Sequence, residues 1–446
     1  MSDEPIRWLW AVATVVVWLV LTGWTVWRFR RKAVPAVEAG STLIAVASQT
    51  GFGDELAGMT RKAFADAGQP VRVASFADIE AADLKTAARV LFIASTTGEG
   101  DAPDSASGFV RKVMKGQTNL AGVRYGLLSL GDQSYAEFCG FGRALDGWLR
   151  AAGAQPLFDA VEVDNGDTAA IRRWQGELTR LTGSVAAPDW APPAYADWRL
   201  VERRLLNPGS PGEGVWHLAF APVDGVLEWV AGDIVEVGVP SPEGGLVPRE
   251  YSIASLPADG RAEFLIRLMR RPDGTPGLAS GRLTGTLQVG ETVPMRLRPN
   301  RAFHGPDAAT PLILIGNGTG LAGLRSHLKT RAAAAATGGA WLMFGERTVA
   351  HDSLHDAELQ GWLADGTLTR LDRTFSRDPG DGRYVQAVIE AEAQTVRDWV
   401  ARGAAIYVCG SLEGMAGGVN AALESVLGGE TLRDLVETGR YRRDVY

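Results

Sequence analysis

Cysteine is nearly missing from this chain: two residues in 446, Cys139 and Cys409, neither in a C-x-x-C spacing. A disulfide framework and a cysteine-built zinc centre are thereby excluded, and a reducing compartment fits better. Histidine is as sparse. The five are scattered except in HDSLH, where His351 and His355 stand one helical turn apart. No third ligand is near, so a solvated helix face is expected and no metal. Also lacking is any stripe of Lys and Arg interleaved with aromatics. With a formal net charge of −7, the chain has no general attraction for nucleic acid.

One stretch lacks charge altogether. From Trp8 to Trp27 the sequence reads WLWAVATVVVWLVLTGWTVW, as a helix long enough to cross a ~30 Å hydrocarbon core, with tryptophans near both ends as interfacial anchors. A cleaved signal peptide has a shorter apolar region and a small-residue cleavage site, where here Arg28, Arg30, Arg31 and Lys32 follow. Those four against a lone Arg7 orient the segment by the positive-inside rule. The expectation is a single-pass anchor over residues 8–27 in the inner (cytoplasmic) membrane, with the bulk of the chain in the cytoplasm.

What is abundant is ordinary globular composition, 46% hydrophobic and 22% charged, in a chain too long for one core. TLIAVAS, ARVLFIAS and RYGLLSLG are β-capable runs, each ending in a polar, glycine-bearing loop before a helical pattern. That alternation predicts a doubly wound parallel sheet, with ligands at the carboxyl ends of its strands. The Pro- and Ala-rich stretch 184–198 reads as a linker. Short alternating strands over 199–305 then predict an antiparallel β-barrel, and the β-α rhythm returns over 306–446. The fold class is therefore α/β multidomain, with the parallel-sheet domain at 41–183.

Three loops carry the chemistry of the first domain. SQTGFG (Ser48, Gln49, Thr50, Gly51, Phe52, Gly53) joins a strand to a helix, where hydroxyls and main-chain N–H groups can hold a phosphate; alone it reads equally well as a helix cap. STTGEG (Ser95, Thr96, Thr97, Gly98, Glu99, Gly100) follows the second strand. LGDQSYAEFC (Leu130, Gly131, Tyr135, Phe138, Cys139) follows the third and offers an aromatic for stacking. Together these loops resemble the flavodoxin-like domain of the diflavin reductases. The resemblance implies FMN, its phosphate in the first loop and its ring between the second and third, and it gives Asp164 the place of that family's acidic residue after the last strand. Gly53 departs from the hydroxyl or alanine usual there.

The later motifs extend the resemblance. REYS and GLAS resemble the signatures of ferredoxin-NADP reductase-like modules, which implies FAD, its pyrophosphate held by Arg249 and Ser280 with Gly277, Leu278 and Ala279 around it, Tyr251 on the ring and Ser252 near its N5. GNGTG, after a strand and before a helix, is too weak alone to name a dinucleotide. Within the resemblance it is the NADPH loop, with Gly318 and Thr319. Arg347, Ser376, Arg377, Tyr384 and Gln386 match the binding residues for the adenosine 2′-phosphate, and arginine with hydroxyl donors suits a phosphate better than a bare ribose. Ser252, Cys409 and Asp444 are expected to surround hydride transfer, with Tyr446 covering the flavin. Gly323 departs from a proline common at that helix start.

What the resemblance implies is an NADPH-dependent oxidoreductase passing electrons from NADPH to FAD to FMN and on to a haemoprotein or ferric siderophore. Glu99, Asp101, Asp104, Asp132 and Glu137 are expected near the FMN, where they either meet a basic partner or only keep the surface soluble. The other reading is a non-catalytic, membrane-tethered flavin sensor or scaffold. About fifty residues separate Trp198 from Arg249, too few for the helical connecting domain of cytochrome P450 reductases and sulfite reductase flavoproteins.

Overall fold

The structure, a computed structural model, describes residues 40–48, 51–98, 100–116, 118–133, 137–183, 194–241 and 244–446. The expected anchor at 8–27, and most of the expected linker, lie outside them. Among the described residues no helix is long and apolar enough to cross a membrane.

The N-terminal domain holds a parallel sheet of β1 (Thr42–Ala47), β2 (Val71–Ser75), β3 (Arg89–Ser95), β4 (Arg124–Gly131), β5 (Gln155–Pro156) and β6 (Val161–Asp164). Its order is β2-β1-β3-β4-β5, with β6 also paired to β4. Every residue of β1 is buried, because helices cover both faces of the sheet. Two apolar clusters result: Phe76, Phe92, Phe109 and Leu145 fill one side, and Phe64, Leu128, Ile171 and Trp174 the other. The first helix, α1 (Phe52–Asp66), starts directly from the SQTGFG loop.

The domain expected as a barrel is a six-stranded antiparallel sheet of β7 (Ala196–Leu205), β8 (Val215–Pro222), β9 (Ile234–Pro240), β10 (Leu246–Ser252), β11 (Ala262–Arg267) and β12 (Thr292–Arg298), in the order β10-β9-β12-β7-β8-β11, with no pairing between the end strands β10 and β11 among the described residues. Strand β7 begins at Ala196, inside the span read as linker. Trp198 and Leu200 face the core while Arg199 and Val201 face out, the alternation of a half-buried strand. Strands β7 to β10 follow one another through short connections, so no helical domain interrupts the barrel.

In the C-terminal domain β13 (Leu312–Asn317), β14 (Ala340–Glu346), β15 (Arg370–Phe375), β16 (Ala405–Gly410) and β17 (Tyr441–Val445) pair in parallel in the order β15-β14-β13-β16-β17. Helix α2 (Leu321–Ala333) is wedged between this sheet and the barrel, and buries even Arg325, Ser326 and His327. Arg325 bridges Glu263 of β11 (2.6 Å) and Glu358 (2.5 Å) in α3 (Asp356–Ala364).

HDSLH corrects the expected solvated helix face. It forms the turn before α3, with His355 at φ 53, its Nδ1 3.4 Å from Glu358 and its ring 5.6 Å from that of buried His217 in β8. His351 Nδ1 lies 2.9 Å from the Pro208 carbonyl. Both histidines fasten the C-terminal domain to the barrel.

The N-terminal domain rests on the other two. Gly51 abuts the Pro299 carbonyl so closely that a Cβ would lie 2.1 Å from its oxygen. The Arg298 guanidinium covers the Phe52 ring at 5.4 Å, and Arg296 stands 3.7 Å from Glu55. Arg443 of β17 pairs with Asp104, and Glu437 with Arg111 and Lys112.

Candidate active site

Three loops meet at the carboxyl edge of the N-terminal sheet. Ser48 Oγ accepts a hydrogen bond from Gly51 N–H at 3.1 Å, and Gly51 caps α1 at φ 81, a conformation that favours glycine. Gly53 has a packing reason. A Cβ there would stand 3.1 Å from Ser48 Cβ and 3.5 Å from Ser95 Oγ, so glycine lets the first two loops touch. The second loop is tied to the third by Thr96 N–H donating to Leu130 O at 2.9 Å, and it closes on itself where Thr97 and Asp101 exchange main-chain bonds. Gly98 and Gly100 both have positive φ, and a Cβ on Gly100 would meet Glu137 at 2.7 Å.

In the third loop Cys139 takes φ 55, is fully buried, and directs its Sγ to the Ser129 carbonyl at 3.5 Å. Gly131 lies so near that a Cβ would fall 2.8 Å from Cys139 N. Asp164 anchors the loop by accepting from Gln133 N–H at 2.9 Å, and Phe138 packs under Arg143 at 5.6 Å. Gln49, Thr50, Glu99 and Tyr135 lie outside the described residues. The Oγ1 of Thr96 is buried with no partner among the described residues. An orphaned hydroxyl beside a cradle of serines and glycines fits a phosphate-bearing flavin.

A second site opens between the barrel and the C-terminal domain, a cavity of about 960 Å³. The barrel contributes Tyr251, Ser252 and Ser280; the C-terminal domain contributes Gly318, Thr319, Arg347, Ser376, Arg377, Tyr384, Gln386 and Tyr446. Ser280 Oγ accepts from Met269 N–H at 3.0 Å, with Gly277 packed against it and Leu278 and Ala279 in the turn between them. Arg249 does not line the cavity. It is exposed and donates to the Pro248 carbonyl of its own strand at 2.7 Å.

Strand β17 explains how the chain terminus reaches this site. It pairs with β16 so that Asp444 lies opposite Cys409 and Val445 opposite Gly410. Ser252 Oγ donates to Asp444 Oδ2 at 2.6 Å, and the Cys409 thiol lies 3.7 Å from the same oxygen. Burial, followed by the Asp444 charge, pushes the Cys409 thiol well up; burial also raises the Asp444 carboxyl, against the pull of Ser252 and Cys409. Gly323 lies just behind, where a Cβ would come within 3.1 Å of Cys409 Sγ and 3.2 Å of Phe303, which accounts for the missing proline. Tyr446 OH is 3.3 Å from Thr319 Oγ1.

The cavity fits a dinucleotide as well as a flavin. Arg347 Nη1 and Thr374 Oγ1 are buried polar atoms without partners among the described residues, and neither Arg347 nor Arg377 has a carboxylate partner there. Sequence reading missed Arg267 and Glu346, which also line the cavity. Glu346 carried one signal, its place at the carboxyl end of a strand in an open α/β sheet. Asp104, one of the acids expected to face a partner, is occupied by Arg443.

Comparison with known proteins agrees with this geometry. Residues 44–174 match the flavodoxin family, and residues 314–421 match the oxidoreductase NAD-binding domain. The chain is similar to the sulfite reductase [NADPH] flavoprotein alpha-component of Vibrio cholerae, 28% identical over 97% of this chain and 93% of the relative. The corresponding proteins of Neisseria meningitidis serogroup C (29%, covering 93% and 91%) and Shewanella sp. strain MR-7 (28%, covering 92% and 90%) are alike. The first of these alignments spans 574 positions, 128 more than the 446 residues of this chain, so the relative carries long insertions that this chain lacks.

Proposed function

We propose that this chain, with a flavodoxin domain binding FMN and a module binding FAD and NADPH, is a diflavin reductase that delivers electrons singly to a haemoprotein or ferric siderophore at the cytoplasmic face of the inner membrane. The observation that carries this reading is the shared cavity, where Tyr251 and Ser252 of the barrel meet Ser376 and Arg377 of the C-terminal domain. When bound, the flavins convert the two-electron chemistry of a nicotinamide into one-electron transfer.

The chain's own residues prepare that chemistry. Ser252, fixed by Asp444, presents a hydroxyl at the cavity floor that can hold or pass a proton at a flavin nitrogen. Cys409, raised by burial and by the Asp444 charge, stays a thiol that supports Asp444 and does not serve as a nucleophile. Arg347 and Arg377, neither with a carboxylate partner among the described residues, supply guanidinium groups for the 2′-phosphate, and Ser376, whose hydroxyl rests on the Glu346 carbonyl at 3.2 Å, stands beside them. Tyr446, more than half exposed at the cavity edge, is placed to cover the ring until nicotinamide takes its position.

The relatives' name, an alpha-component, implies a second component that receives electrons, which favours the haemoprotein. Tethering rests on the uncharged run 8–27. Anaerobic addition of NADPH tests the core of the proposal: flavin absorbance should bleach, with FMN and FAD near one each per chain, and no bleaching sinks it. Stopped-flow reduction of candidate acceptors at two ionic strengths separates the acceptor classes, because docking to a charged protein slows with salt. Fractionation of cells expressing the whole chain, or the chain without residues 1–32, tests the anchor.

A further inference from the structure

We propose that Glu346 is a positioning residue that holds Arg267 back from the pyrophosphate of the pyridine nucleotide, so that the nucleotide departs after reaction. The inference rests on the cavity being the NADPH site. Arg267 ends barrel strand β11 and Glu346 ends β14, and both line the cavity. Arg267 Nη2 donates to Glu346 Oε1 at 2.5 Å, its Nη1 reaches the Glu213 carbonyl at 3.3 Å, and Glu346 Oε2 accepts from Arg347 N–H at 3.0 Å.

The pair sits against the glycine turn. A Cβ on Gly318, which has φ 55, would lie 3.2 Å from Arg267 Nη2 and 3.5 Å from Glu346 Oε1. Ser376 is fixed to the same strand end, its N–H donating to the Glu346 carbonyl at 2.8 Å. One residue thus touches the turn expected to meet the pyrophosphate and the residue expected to meet the 2′-phosphate.

An arginine beside a pyrophosphate turn would ordinarily grip phosphate oxygens with its planar fork. Here the fork is already taken by a carboxylate whose side chain is 2% exposed. A carboxylate in that position cancels the cation and repels incoming phosphate. Glutamine would remove the charge in nearly the same shape, keeping one acceptor oxygen for the Arg347 N–H while its NH2 group, a donor, no longer holds the Arg267 fork. Burial raises the Glu346 carboxyl, and the Arg267 guanidinium held against it opposes that rise. Arg347 and Arg377 have no such counterion among the described residues. The cavity therefore leaves the cations that select the 2′-phosphate open and masks the one at the turn.

The test is direct binding of NADP⁺ and NAD⁺ to the flavin-loaded protein by calorimetry. Glu346→Gln should tighten both nucleotides by a similar factor, roughly five- to twentyfold for one newly available charge-assisted contact, with steeper salt dependence. Glu346→Asp, which draws the carboxylate back by one methylene, should tighten both by less and guards against failure of the first variant to fold. In Arg267→Gln/Glu346→Gln the gain should vanish. Unchanged dissociation constants, a gain limited to NADP⁺, or a gain that survives loss of Arg267 would overturn the inference while leaving the cavity assignment intact. Failure of the unaltered protein to bind either nucleotide would instead overturn the assignment beneath it.

Discussion

Replacing Asp444 by alanine removes one acceptor and leaves two donors without it. In the native arrangement Ser252 Oγ lies 2.6 Å from Asp444 Oδ2, a short O–H to carboxylate contact, while Cys409 approaches the same oxygen at 3.7 Å. A hydrogen bond to a charged group contributes about 1.5–3 kcal/mol. If that interaction holds Ser252 in the geometry of proton transfer, its loss slows reduction of the FAD by roughly ten- to a hundredfold, at about 1.4 kcal/mol per factor of ten. The assay is anaerobic stopped-flow bleaching at saturating NADPH, with flavin content and Tm measured on the same preparation. The rate constant should fall while NADP⁺ affinity changes little, because Asp444 does not line the cavity. A bleaching rate within twofold of the original, with both flavins retained, would refute the role given to Ser252 and Asp444.

Arg377→Ala should raise KM for NADPH roughly tenfold or more and leave KM for NADH nearly unchanged, since only the former carries the extra phosphate; steady-state assays with both nucleotides decide it. Gly51→Ala introduces a side chain at φ 81 that would lie 2.1 Å from the Pro299 carbonyl oxygen, so it should slow passage of electrons from FAD to FMN while NADPH still bleaches the FAD. Equal rates for both steps in single-turnover spectra would contradict the domain contact. His217 is lowered to about 4 from 6.5, chiefly by burial, with Glu263 opposing and His355 reinforcing the shift. The folded state therefore takes up this proton later than the unfolded state, and its contribution is complete above about pH 6.5 and lost on descending towards pH 4, by up to roughly 3 kcal/mol. Tm measured across that window should fall in the original protein and fall less in His217→Gln.

The strand-loop rhythm of TLIAVAS, ARVLFIAS and RYGLLSLG was legible because parallel strands covered on both faces read as continuous apolar runs, and the antiparallel sheet was legible from Arg199 onward as short alternating strands, while its first residues, Ala196 to Trp198, were hidden in the Pro- and Ala-rich stretch read as linker. Strand β17 was not legible. Its sequence YRRDV carries three charged residues, and it forms a strand only because β16 offers an edge. Asp444 was therefore singled out by resemblance, with no physical account of how it reaches Cys409. The Arg267–Glu346 pair was hidden for another reason: its members are 79 positions apart and belong to different domains, and no local pattern encodes such a meeting. The histidines of HDSLH misled because their spacing suits a helix face, while His355 in fact takes a left-handed conformation before one.

Consecutive residues of an extended strand point to opposite sides, and β17 uses that to join two tasks. Arg443 reaches across to Asp104 of the N-terminal domain, and its neighbour Asp444 reaches back to Ser252. Two residues further on, the chain closes with Tyr446 at the mouth of the cavity. Tugging on the N-terminal domain and seating a nucleotide are thus loads on the same few ångströms of backbone, leaving little slack to keep one event from being felt by the other.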